Sequence, residues 1–374
     1  MATLRVLFIS NEDSHIGGSS LSLLSMLRSL DGSVEPVLLF MSEGAVSSFF
    51  RAKGYNCIVA PFYRNSFSAA GLGRAVRFIP HAVARFFVQR RCVRQVLRAA
   101  GRVDIVHSNS STVDIGLLIA RSMGVPHVWH LREYYDIGIN GRPFPSWASW
   151  KRKLFESDAV IAITPGLFDH WGLGGHRHAW CIPDAVCSSA DAGPITPRRD
   201  RRILFVAGTI SAVKRPDEAL KIFAASGLPD YSLCFVGSVS GQVRHSLESM
   251  ASDLGVADRI TFIPFVNDIK PLLQEAAAVL VCTLNEGMGR VAVEAMFAGC
   301  PVIARNSGGS KDVLLGGELG SLYDSPAEGA ALLREAVSSY PAEKMGKARA
   351  SAISAYSTKD YKEKILGVYR TLLS

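Results

Sequence analysis

Cys282-Thr283-Leu284-Asn285-Glu286-Gly287-Met288-Gly289-Arg290-Val291-Ala292-Val293-Glu294-Ala295-Met296-Phe297-Ala298-Gly299-Cys300-Pro301-Val302-Ile303-Ala304 reads as strand end, glycine loop, helix, glycine stop and strand. A strand, a helix and a second strand in that order form one unit of a parallel sheet. Gly287 and Gly289 let the backbone approach a ligand closely, and the helix that follows offers free N–H groups to an anion. Glu286 precedes that helix and Glu294 lies within it. Two carboxylates beside an anion-binding helix start make little sense for phosphate alone. They suit a ligand that carries both phosphate and hydroxyls, because carboxylates accept hydrogen bonds from sugar OH groups.

The spacing Gly287-x-Gly289-x-x-Ala292 also fits a dinucleotide fingerprint. Three features argue against a nicotinamide cofactor. The motif opens a late unit rather than the first, the next strand runs into Arg305 instead of an acidic residue, and Glu286 would repel a pyrophosphate laid over it.

Working outward, short apolar runs alternate with helical patterns along the whole chain. Strands are expected at 4–10, 35–40, 56–60, 104–107, 127–130, 159–163 and 179–182. Residues 183–202 are rich in Ser, Ala, Pro and Arg and have no period, which marks a linker. The alternation restarts at 202–208 and continues at 232–236, 260–263, 278–282 and 301–304. The expected class is α/β, with two doubly wound domains around a ligand cleft at the C-terminal ends of their strands. The expected division is 1–185, a linker at 186–200, a second domain at 201–357, and a long amphipathic helix at 358–374 that packs back across the hinge. A length of 374 residues suits two such domains, and 48% hydrophobic residues exclude a disordered chain.

Positive charge is concentrated. The chain holds 41 Lys and Arg against 33 Asp and Glu, for a formal net charge of +8. Between Glu43 and Asp104 there is no acidic residue, yet there are Arg51, Lys53, Arg64, Arg74, Arg77, Arg85, Arg90, Arg91, Arg94, Arg98 and Arg102. Without those eleven the balance is 30 basic to 33 acidic. Within the stretch, 82–99 has a helical period: Val83, Phe86, Phe87, Val93, Val96 and Leu97 alternate with Arg85, Arg90, Arg91, Arg94 and Arg98. Such a helix can rest on an anionic membrane, each basic side chain near the surface adding about 1 kcal/mol. It can equally be an ordinary surface helix with a solvated basic face. Nucleic acid is disfavoured, because no stacking platform or base-reading motif accompanies the charge.

Seven cysteines without a Cys-x-x-Cys pair argue against both a disulfide framework and a zinc site. The longest apolar run, around 276–284, is about half of what a membrane-spanning helix needs. The N-terminus opens as a strand instead of a signal segment. A cytoplasmic location is expected, with peripheral contact at the inner membrane face.

Glu286-x7-Glu294, in its run to Ala304, resembles the signature of the retaining family 4 glycosyltransferases of GT-B fold. Six further segments are similar to that family in the right order. Ile16-Gly17-Gly18-Ser19 resembles its donor-facing glycine turn. Val106-His107-Ser108-Asn109 and Trp129-His130-Leu131-Arg132-Glu133 resemble its cleft-facing strand ends. Ile182-Pro183-Asp184-Ala185-Val186 resembles its interdomain segment, and Gly208-Thr209-Ile210-Ser211-Ala212-Val213-Lys214-Arg215 its donor-phosphate loop. Ser307-Gly308-Gly309-Ser310 resembles its second glycine turn.

The resemblance implies roles position by position. Glu294 would hold the ribose hydroxyls of a nucleotide. Glu286 would bind a hydroxyl of the donor sugar, beside the amides of Gly287, Met288 and Gly289. Lys214 would neutralise the diphosphate, and Gly17 and Gly18 would let the first loop close over it. His130 would touch the sugar near the reacting carbon; alone at a strand end it would read as a structural histidine. His107, Asn109, Arg132 and Glu133 are candidates for the acceptor side, or Arg132 and Glu133 merely pair with each other. One position departs from the pattern: the family loop usually reads Gly-Arg, and here Thr209 follows Gly208, leaving Arg215 to supply the charge. The nucleotide base would be read around 264–267.

The implied activity is anomer-retaining transfer of a sugar from a nucleoside-diphosphate donor to a glycan or lipid-linked acceptor, in cell-surface polysaccharide or glycolipid synthesis. No metal or other cofactor is implied, because a lysine and a helix start can stabilise the leaving phosphate. The expected partners are the nucleotide sugar, the acceptor and an anionic membrane surface met through Arg74–Arg98, with no nucleic acid. A sugar-nucleotide epimerase and a catalytically silent binding protein of the same fold are the alternatives.

Overall fold

The computed structural model describes residues 3–11, 16–66, 72–189, 192, 195 and 200–374, the side chains of 72–76 excepted. The Arg74 side chain of the basic stretch and most of the expected linker, residues 190–191, 193–194 and 196–199, lie outside the described residues. The chain divides into two compact units, residues 1–184 with 361–374, and residues 185–360.

The first unit holds β1 (Leu4–Ile9), β2 (Val34–Phe40), β3 (Asn56–Val59), β4 (Ile105–Ser108), β5 (His127–Leu131), β6 (Ala159–Ala162) and β7 (Ala179–Cys181). They form one sheet in the order β3-β2-β1-β4-β5-β6-β7, and every pairing is parallel. A parallel sheet covered by helices on both faces is dry throughout, so its strands are continuous apolar runs instead of alternating ones. Val6, Leu7, Phe8 and Ile9 are accordingly all buried. One face packs Leu7, Ile9, Val37, Leu39 and Val106 against Cys92, Val93, Val96, Ile115 and Ile119 from two helices.

The second unit holds β8 (Arg202–Ile210), β9 (Ser232–Val239), β10 (Ile260–Ile263), β11 (Ala278–Val281), β12 (Val302–Arg305) and β13 (Ser321–Tyr323). Its order is β10-β9-β8-β11-β12-β13, again parallel. Ile203, Phe205, Leu220, Phe223, Phe235, Leu280 and Ile303 form its core. Each expected strand is present, and β13 is an additional one whose three residues are too few to show an apolar run in the sequence. Near 186, Val186 N–H bonds Tyr356 O at 2.9 Å and Cys187 bridges Ser357 within the second unit. The helix Thr358–Leu373 places Tyr361, Ile365, Leu366, Val368 and Tyr369 in buried positions. All seven cysteines are free.

The helix Leu72–Ala99 is longer than the period suggests and turns differently. The sequence pairs an apolar set with an arginine set; the structure does not sort them that way. Arg85 is buried, with its guanidinium 2.6 Å from Asp114 and 2.8 Å from the Arg64 carbonyl. Ile79, Val83, Phe86 and Phe87 face solvent instead, the last two 52% and 64% exposed. A carboxylate on a neighbouring helix decided this, since Asp114 gives Arg85 a partner that makes its burial affordable.

Candidate active site

In the second unit the strand order reverses between β8 and β11, with β9 and β10 on one side and β12 and β13 on the other. Loops leaving such a pair run to opposite faces and open a crevice at the C-terminal strand ends. One loop carries the 3-10 turn Ala212–Lys214, the other Asn285–Gly289. Lys214 Nζ lies 2.7 Å from Glu286 Oε1, so the two loops that flank the crevice meet through a cation and a carboxylate.

The loop at 285–289 lies on a second glycine turn. Gly309 N–H bonds Glu286 O at 2.7 Å, and the Ser307 hydroxyl takes Asn285 N–H at 3.1 Å while donating to Asn285 Oδ1 at 2.9 Å. A Cβ on Gly309 would stand 2.4 Å from Gly287 O, and one on Gly308 2.7 Å from the Asn285 Cα. Backbone therefore packs directly on backbone, which explains the pair of glycines. Gly289 has φ +86° and caps the helix Arg290–Ala298. Glu294 lies one turn into that helix, with Arg290 3.5 Å from its carboxylate. Burial pushes the Glu294 carboxyl above its ordinary range, and Arg290 pulls it back in part.

Thr209 and Arg215 fall elsewhere than the sequence suggests. β8 continues to Ile210, so Thr209 is a strand residue opposite Ser238, and the loop begins after it. Arg215, in the left-handed region at φ 55°, places its guanidinium 2.5 Å from the buried Glu218, whose other oxygen lies 3.1 Å from Arg305. Its charge is thereby engaged with Glu218, while Lys214 beside it points to Glu286. Ser310 is an addition: its hydroxyl is buried without a hydrogen-bond partner among the described residues, next to Gly289. Only its place in the glycine turn could have signalled it.

In the first unit the order reverses between β1 and β4. Gly17 caps the helix Gly18–Ser29 after β1, and Gly18 is exposed; residues 12–15 of that loop lie outside the described set. His107 on β4 and His130 on β5 are both fully buried, with His107 Nε2 3.2 Å from His130 Nδ1. Burial, followed by the nearby Arg132 charge, holds His130 well below the ordinary histidine value. For His107 burial again dominates, with His130 and Arg132 adding to it.

Arg132 and Glu133 do not pair through their side chains. Arg132 forms an ion pair with Asp184 and donates to Asn109 Oδ1 at 2.9 Å. Burial opposes its charge, but Asp184 and Tyr361 outweigh that and raise its pKa. Glu133 accepts instead from the Ser110 hydroxyl and, at 3.1 Å, from the Arg132 backbone N–H. Nothing local in the sequence ties Asp184 to Arg132 or Tyr369 to His107, which lie 52 and 262 residues apart.

Two parallel, doubly wound units of seven and six strands make up the GT-B fold. Two family models match the chain: Glycosyl transferase 4-like domain over residues 17–172, and Glycosyl transferases group 1 over residues 191–352. The chain belongs to this family, the group 1 glycosyltransferases of family 4 type. It is 27% identical over 229 residues to the uncharacterized glycosyltransferase YqgM of Bacillus subtilis, covering 59% of this chain and 63% of that one. It is 29% identical over 268 residues to a D-inositol 3-phosphate glycosyltransferase of Geodermatophilus obscurus, covering 63% and 59%. The chain thus spans about three fifths of the length of these curated relatives. Among solved structures, Anabaena Alr3699/HepE in complex with UDP superposes with a TM-score of 0.77 at 17% identity, over 99% of this chain and 100% of that one.

Proposed function

We propose that this chain transfers a sugar, with retention of anomeric configuration, from a nucleoside-diphosphate sugar to a glycan or lipid-linked acceptor. The observation that carries the reading is the meeting of Lys214 and Glu286 above the glycine turn, with Glu294 one turn into the following helix. A similar fold crystallised with UDP supports a nucleotide donor.

In this reading the bond between the anomeric carbon and the β-phosphate oxygen breaks, and its electron pair stays on the phosphate. The acceptor oxygen attacks the same face and its proton passes to the departing phosphate oxygen. Charge develops on that oxygen, so fixed donors beside it lower the barrier. Lys214 has three N–H donors; Glu286 takes one, leaving two for phosphate oxygens. Glu294 accepts from the ribose hydroxyls, and Glu286 and the amides of 287–289 hold the sugar. His130 faces the sugar near the reacting carbon. No metal enters the scheme. Arg215, held by Glu218, is a weaker candidate for the phosphate than Lys214.

We place the reaction at the inner membrane face, in the synthesis of a surface polysaccharide or glycolipid. Support comes from Phe86 and Phe87, which stand exposed beside Arg90, Arg91 and Arg94, also exposed. No helix among the described residues is long and apolar enough to cross a membrane.

The test is a thermal-shift panel with UDP, GDP, dTDP, CMP, NAD and NADP. A ligand at about 100 times its Kd stabilises by about 2.7 kcal/mol, or several degrees for units of this size. A shift with one nucleoside diphosphate, lost in Glu294→Ala, is expected. A shift only with NAD or NADP overturns the reading, and no shift at all favours a silent binding protein.

A further inference from the structure

A chain of hydrogen bonds runs inside the first unit from the last helix to His130. Tyr369 Oη lies 2.8 Å from His107 Nδ1, and His107 Nε2 lies 3.2 Å from His130 Nδ1. An Arg132 N–H also faces His130 Nδ1, at 3.4 Å. All four side chains are buried.

The proton positions follow from donor counting. A guanidinium has donors only, so the nitrogen it faces, His130 Nδ1, accepts. His107 Nε2 must then carry its proton and donate it to the same nitrogen. His107 is neutral, so its Nδ1 is bare and accepts the Tyr369 hydroxyl proton. Burial keeps that phenol protonated and both rings uncharged, which agrees with the count. A neutral His130 with a bare Nδ1 carries its single proton on Nε2.

That Nε2–H is fully buried and has no hydrogen-bond partner among the described residues. Asp184 Oδ1 is 3.9 Å away, beyond hydrogen-bonding reach, and is already engaged by Arg132. An orphaned buried donor is uncommon and calls for an explanation.

We propose that Arg132, His107 and Tyr369 are positioning residues that together fix the His130 proton on Nε2, leaving it to donate to a ligand oxygen. The inference rests on the proposed role of His130 toward the donor sugar, and it adds what sets the state of that ring. A bare Nε2 in its place would repel the lone pair of a substrate oxygen. The C-terminal helix thereby acts on chemistry at the end of β5 without touching substrate.

The experiment is long-range nitrogen–proton correlation NMR on the full-length protein with 15N-labelled histidine, at pH 7. Wild type should show His130 and His107 neutral, each protonated on Nε2. Tyr369→Phe keeps the ring packing and should give mixed tautomers at His107. His107→Gln can still donate to His130 Nδ1 and should preserve the His130 signature, whereas His107→Leu leaves only the long 3.4 Å Arg132 contact and should give mixed His130 tautomers. With a nucleotide sugar identified by the thermal panel, Tyr369→Phe should lower kcat roughly tenfold, about one hydrogen bond's worth, with the donor KM within twofold. A wild-type His130 protonated on Nδ1 overturns the proposal, as does an unchanged signature in both Tyr369→Phe and His107→Leu. The NMR outcome does not depend on turnover, so a chain that transfers no sugar refutes the function while leaving the relay to stand or fall on its own spectra.

Discussion

Gly309 has no room for a side chain. With a Cβ 2.4 Å from Gly287 O and 2.5 Å from the Met288 Cα, Gly309→Ala must push the two loops apart. Overpacking of this kind costs about 1–3 kcal/mol, which the second unit can survive. The displaced residues, however, are those proposed to hold the donor. Gly309→Ala should therefore fold with a melting point lowered by several degrees and lose the nucleotide-dependent thermal shift. A variant that keeps the full shift would show that the loop position does not matter for binding. Arg132 and Asp184 present the opposite situation, a fully desolvated pair whose separation leaves a buried charge. Such pairs are costly to break and contribute little net stability when intact, which fits a role in orienting Asn109 and facing His130.

At the scale of elements, the helix Leu72–Ala99 has two faces that do different things. Arg85, Gln89, Cys92, Val93 and Val96 turn inward, while Ile79, Val83, Phe86, Phe87, Arg90 and Arg94 turn outward. Arg90 lies over the Phe86 ring at 4.6 Å. An exposed aromatic pair rimmed by arginines is what an interfacial helix needs, apolar area to insert and charge for anionic headgroups. Phe86→Glu with Phe87→Glu, and charge reversal at Arg90, Arg91 and Arg94, should each abolish sedimentation with phosphatidylglycerol vesicles. Neither should move the melting point, because exposed substitutions usually stay within about 0.5 kcal/mol. Undiminished vesicle binding by both variants would end the membrane reading.

At the scale of the molecule, stability depends on pH through one unit. His107, His127 and His130 all lie in the first unit, buried and held below the ordinary histidine value, His127 at about 3, in each case chiefly by burial. Below pH 6.5 the unfolded chain takes up protons that the folded one refuses, so stability falls as pH falls. Between pH 7.5 and 5.5 each of these histidines costs on the order of 1 kcal/mol, and the three together a few kcal/mol. Urea unfolding at pH 7.5 and 5.5, followed by proteolysis to separate the units, should show the first unit losing stability. The second should lose none, since its raised Glu294 works in the other direction. Equal stability of the first unit at both pH values would contradict burial of these rings as neutral species.

Sequence alone determined the order of strands, the two doubly wound units and the glycine loop of the second. Those features are local: a buried parallel strand is a continuous apolar run, and a loop that takes a phosphate needs its glycines at fixed spacing. Tertiary structure decided what long-range partners decide. Asp184 finds Arg132 from 52 residues away, and Tyr369 finds His107 from 262. Asp114 draws Arg85 inward and so turns Phe86 and Phe87 out, against the helical period. Glu218 claims Arg215 and leaves Lys214 to Glu286. A charged side chain goes where its counterion is, and no window of sequence shows which carboxylate the fold will bring beside it.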